Sequence, residues 1–83
     1  MTKAEKNGYV AFELKSRMGT VRDLKSGEKR AAELFSVVFH VQYPFGIARQ
    51  EWTNGPNCSP VRFTSRDAAA SAVTKEFGAL PQA

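Results

Sequence analysis

The sequence predicts a small α+β fold: a mostly antiparallel sheet of three to four strands with a C-terminal helix packed on one face. Two runs carry that prediction. Phe35, Val37, Phe39, Val41 and Tyr43 alternate strictly with Ser36, Val38, His40 and Gln42. Large apolar residues at period two cannot share one side of a helix, where residues two apart are turned by about 200°. From Arg66 to Phe77 the spacing becomes helical, with Ala69, Ala72, Val73 and Phe77 at offsets of three and four and Leu80 continuing the stripe.

Residues 1–7 are polar and are expected to be a flexible lead-in. From Tyr9 the pattern is a strand with Val10, Phe12 and Leu14 on the buried side and Ala11, Glu13 and Lys15 opposite. Met18-Gly19-Thr20 reads as a turn, because glycine tolerates positive φ. Val21 and Leu24 suit a short second strand, and Lys25-Ser26-Gly27 a further turn. Glu28 to Glu33 consists of good helix formers with Ser26 as a candidate N-cap, and is read either as a helical turn or as the start of the next strand.

The strand ending at Tyr43 is expected at the centre of the sheet. Pro44-Phe45-Gly46 breaks it, and Ile47 to Trp52 returns antiparallel. Residues 53–60 read as a loop, with a turn at Asn54-Gly55-Pro56-Asn57. Val61 to Phe63 is expected as a short edge strand beside Pro60. Ser65 or Thr64 caps the last helix, Asp67 complements its dipole, Gly78 ends it in the left-handed conformation, and Pro81 prevents resumption.

The chain of 83 residues is expected to be a single domain over 1–83, with a thin core. Its 42% apolar and 24% charged residues are the balance of a folded protein. A single cysteine, Cys58, points to a reducing compartment. The first residues lack the apolar stretch of a signal peptide, and no run approaches the ~18 apolar residues of a membrane span. The expected location is the cytoplasm, away from membranes.

Catalytic chemistry finds little support. One histidine, His40, lies mid-strand and Cys58 lies in a loop, where a nucleophile pair would need contact and a third orienting group. Zinc asks for four ligands at short spacings, and phosphate-binding glycine loops and nucleophile elbows do not occur. The expectation is a non-enzymatic protein with no catalytic, cofactor-binding or metal-ligating residues.

Charge is more informative. Lys15, Arg17, Arg22, Lys25, Lys29 and Arg30 face only Asp23 and Glu28 within their segment, so six minus two accounts for the whole net charge of +4. A local basic patch fits an anionic partner, although a solvated turn has the same composition. Arg17, Arg22, Lys25, Lys29 and Arg30 are the candidate partner-binding cations. Phe45 and Trp52, with Tyr43, are candidate aromatic contacts at strand ends, the alternative for Trp52 and Tyr43 being to close the edge of the core.

Phe63-Thr64-Ser65-Arg66-Asp67-Ala68-Ala69-Ala70, running on to Gly78, resembles the strand-to-helix closure of the AP2-like arm domains of phage integrases. The resemblance spans under a quarter of the chain and implies a three-stranded sheet plus helix that binds DNA. The sheet here lacks the Arg- and Trp-rich reading face of those domains, so no base-contacting residue is carried over. In size, charge and general architecture the chain also resembles phage accessory proteins such as the anti-CRISPR inhibitors, which implies inhibition of a host machine.

Two functions are therefore expected. The first is a binding protein that docks on a macromolecular complex, protein or nucleoprotein, and acts by steric blockage. The alternative is a DNA- or RNA-binding domain that uses the basic segment 15–30. Homodimerisation through the edge strand at Val61–Thr64 is compatible with both.

Overall fold

The computed structural model describes residues 2–55, 57 and 59–83; the expected loop thiol Cys58 and the turn proline Pro56 lie outside them. The elements are α1 (Lys3–Asn7), β1 (Tyr9–Arg22), β2 (Lys29–Tyr43), β3 (Gly46–Glu51), β4 (Thr53–Asn54), β5 (Ser59–Pro60), β6 (Arg62–Phe63) and α2 (Arg66–Phe77). The α+β class, the antiparallel sheet and the C-terminal helix are as the sequence predicts.

β2 is the central strand. β1 pairs with it along one side from Tyr9/Val41 to Arg22/Lys29. On the other side β3 pairs with Val38 to Tyr43, and β6 resumes the same edge at Phe35 and Ser36. Between β3 and β6 the chain leaves the edge as the small β4–β5 ribbon, so residues 53–60, expected as a loop, contain a two-stranded ladder. Trp52 keeps the excursion anchored: its N–H donates to the Val37 carbonyl, and its own carbonyl accepts from the Val61 N–H.

The core lies between α2 and one face of this sheet. Phe12, Val37, Phe39 and Val41 meet Ala69, Val73 and Phe77 there, with Ala4 from α1. The alanines let the helix lie close to the sheet, and the aromatic rings fill what remains. Tyr9 stacks on Phe39 with centroids 4.1 Å apart, and Phe77 meets Phe39 edge-on at 4.8 Å. Tyr43, the last of the alternating row, is out in solvent.

Several local expectations are corrected. The lead-in is a helix: Thr2 caps it by accepting from the Glu5 N–H, and Ala4 anchors it in the core. Val10 is exposed, because a bulge between Tyr9 and Ala11 inserts one residue and puts Tyr9 on the buried face instead. Met18-Gly19-Thr20 is no turn; β1 runs straight through it, paired with Ala31, Ala32 and Glu33. Glycine there leaves room for a neighbour: a Cβ on Gly19 would stand 2.5 Å from Leu34 Cδ1, so the leucine side chain would have to shift. Val21 therefore belongs to β1, Leu24 is in the following turn, and residues 29–33 extend β2 rather than forming a helical turn.

Ser65 caps α2 by accepting from the Ala68 N–H at 3.0 Å. Gly78 ends the helix at φ 99°, ψ 177°, a region close to glycine-only rather than the left-handed helical one. A Cβ there would lie 2.9 Å from Thr2 Cβ and Cγ2, so this glycine also lets the start of α1 pack against the end of α2. Gly78→Ala is expected to lower unfolding free energy by about 1–3 kcal/mol. Urea titration checks this, and an unchanged midpoint would show that neither the backbone nor the packing at Gly78 is constrained.

Candidate nucleic-acid interface

Among the described residues, β2 has no partner except β1 on the arm side of Phe35. The two strands continue together from Ser16/Phe35 to Arg22/Lys29 as a two-stranded arm, closed by residues 23–28. The arm makes the molecule long, 49 × 25 × 22 Å, with a radius of gyration of 14.5 Å. A globular chain of this length would have about 12 Å. Six ladder steps at ~3.3 Å each give the arm a reach of about 20 Å.

The register decides where its charges point. On one ribbon face stand Ser16, Met18, Thr20 and Arg22, opposite Phe35, Glu33, Ala31 and Lys29. The other carries Lys15, Arg17, Gly19 and Val21, opposite Ser36, Leu34, Ala32 and Arg30. Cations thus stand on both faces, Arg22 and Lys29 on one and Lys15, Arg17 and Arg30 on the other, with Lys25 in the turn. All six are exposed. Glycine, alanine and threonine at 19, 20, 31 and 32 keep the ribbon slim between its two groups of cations.

The structure therefore brings together Arg17, Arg22, Lys25, Lys29 and Arg30 and separates them from Phe45 and Trp52. Phe45 lies at the opposite end of β2, 86% exposed and stacked on Tyr43 at 5.2 Å, with Ile47 also exposed. Trp52 packs against the core at its edge, with Phe77 at 5.1 Å and Phe63 at 5.7 Å. What the sequence reading missed is that the basic segment is a projecting hairpin with charge on two faces.

Elsewhere on the sheet's outer face, Glu13 Oε1 lies 3.4 Å from His40 Nε2 and 3.3 Å from Arg49 Nε. This occupies the one histidine in a partly exposed polar cluster. Among the described residues no three His, Cys, Asp or Glu side chains gather as a metal site. A depression of about 450 Å³ opens between α1, α2 and β3, lined by Lys3, Tyr9, Glu51, Trp52, Glu76 and Phe77. Its aromatic floor belongs to the core cluster, and Lys3 Nζ already sits 5.2 Å from the Phe77 ring centre. Burial pushes the Tyr9 phenol above its ordinary value of 10, with a hydrogen bond to Asn7 acting in the opposite direction. The phenol is therefore protonated at neutral pH.

Among the described residues no helix is long and apolar enough to cross a membrane. Comparison of the chain with protein-family models, with curated proteins and with solved structures finds no match.

Proposed function

We propose that this chain is a non-enzymatic cytoplasmic protein that binds duplex DNA by inserting its basic β arm into a groove. The observation that carries the reading is the presence of cations on both faces of a slim ribbon. A patch that meets a flat anionic surface needs charge on one face only. A ribbon lodged in a groove has phosphates along both walls, and both faces then find partners. The major groove of B-form DNA is about 12 Å wide and admits a two-stranded ribbon, whereas the major groove of duplex RNA is too narrow for side chains to read. The contacts assigned here are to phosphate, so binding is expected to be strong but weakly selective for sequence.

With four to six of these cations on phosphates, the logarithm of affinity should fall against the logarithm of salt with a slope of about −4 to −5. Between about 50 and 200 mM salt this is a loss of about 250-fold to about 1,000-fold, which fluorescence anisotropy on a short labelled duplex measures. A flat salt response, or no binding at low salt, would end the proposal.

A second reading is docking on the protein part of a nucleoprotein complex with steric blockage. It is favoured by the exposed Tyr43–Phe45 stack and Ile47 at the far end from the arm. Capture of a protein partner that survives nuclease treatment and is lost in Phe45→Ser would place this reading first.

A further inference from the structure

The turn at the tip of the arm is held by four hydrogen bonds. The Asp23 N–H donates to the Glu28 carbonyl at 2.8 Å, and the Gly27 N–H to the Asp23 carbonyl at 2.7 Å. Asp23 Oδ1 accepts from the Lys25 N–H, and Ser26 Oγ from the Glu28 N–H. Gly27 supplies the positive φ, 72°, that the bend requires. The Leu24 side chain takes no part in this scheme. It is 96% exposed, more than any other large apolar side chain among the described residues, at a position where a turn would be served equally well by a polar residue.

We infer that Leu24 is a wedge that enters between two base pairs and bends the duplex. This rests on the reading of the arm as a DNA-binding element and adds what its tip does. Proteins of the minor groove insert apolar side chains between base steps, partly unstacking them and kinking the duplex by about 20–90°, and an apolar side chain at the tip of an arm can act in the same way from the major-groove side. The geometry here meets the requirements. The arm's reach of about 20 Å exceeds the groove depth of about 8 Å. Arg22, Lys25 and Lys29 flank the leucine and can hold the phosphates on either side of the opened step, while the apolar side chain leaves water for the stacked bases. Steps that unstack easily, pyrimidine followed by purine, should be preferred sites even without any hydrogen bond to a base edge.

The experiment uses the full chain and a duplex with a donor dye at one end and an acceptor at the other, alongside the same duplex with a central mismatch. The wild-type protein should shorten the end-to-end distance and bind the mismatched duplex about tenfold more tightly, because its step is already loosened. Leu24→Ser should keep the salt slope and bind the intact duplex within about threefold of wild type, while losing both the bend and the mismatch preference. Leu24→Phe, a different apolar wedge, should retain both. Because Leu24 packs on nothing, these variants should fold as the parent does. Wild-type binding with an unchanged end-to-end distance, or bending by Leu24→Ser equal to wild type, would overturn the wedge and leave the groove-binding arm standing. Failure of the wild-type protein to bind either duplex would remove the underlying reading and the wedge with it.

Discussion

Replacing Phe39 by alanine should remove a large share of the fold's stability. Phe39 is 1% exposed and sits where the central strand meets α2, touching the rings of Tyr9, Phe77 and Trp52. Truncating a buried phenylalanine costs about 3–5 kcal/mol, the lost transfer free energy plus the cavity left behind. A chain of 83 residues has only about 4–12 kcal/mol of stability in total. The cavity cannot collapse easily, because Val37, Val41 and Val73 around it are held by the sheet ladder and the helix. The thermal midpoint should fall by roughly 15–30 °C, at about 4–8 °C per kcal/mol for a domain of this size. Phe45→Ala removes the same side chain from an 86% exposed position and should leave the midpoint nearly unchanged. Circular dichroism melts of both variants decide the matter. Equal shifts, or a shift of only a few degrees for Phe39→Ala, would mean that the aromatic cluster is not the core of the fold.

The parts of this architecture legible in the sequence are those where one physical requirement dominates. β2 reads as a strand because Phe35, Val37, Phe39, Val41 and Tyr43 recur at period two, even though Leu34 to Phe39 are buried without a break, and α2 reads as a helix because Ser65, Asp67, the spacing of Ala69, Val73 and Phe77, and Gly78 all agree. The misreadings fall where a tertiary contact reverses a local preference. Gly19 looks like a turn, yet it lies in continuous strand, where the missing Cβ leaves room for the end of the Leu34 side chain. Lys29 to Glu33 are good helix formers, but continuous pairing with β1 outweighs a propensity worth only tenths of a kcal/mol per residue. Val10 is apolar and in phase, and one inserted residue in the bulge moves it to solvent. The basic segment was legible as charge and not as geometry, because the phase of Met18 to Arg22 against Lys29 to Glu33 depends on there being no break at Gly19. Once β1 is continuous, the same cations divide between two ribbon faces.

That division gives the arm its most demanding prediction. Arg17, Arg22, Lys25, Lys29 and Arg30 replaced together by serine or glutamine should lower duplex affinity by roughly ten-thousandfold or more at about 0.1 M salt, since each phosphate contact contributes close to one power of salt concentration. The five are exposed, and no salt bridge involving them is found among the described residues, so the variant should melt within a few degrees of wild type. Subsets tell more than the full replacement. Neutralising Arg22 and Lys29 removes the cations of one face, and neutralising Arg17 and Arg30 removes those of the other apart from Lys15. If the ribbon lies in a groove, each pair should lower the salt slope by a similar amount, about two units, because each faces its own wall of phosphates. If the arm instead lay flat on an anionic surface, one pair would account for nearly all the loss and the other for almost none. Anisotropy titrations of the two double variants at several salt concentrations separate these outcomes, and a one-sided result would refute insertion into a groove even though DNA binding itself survived.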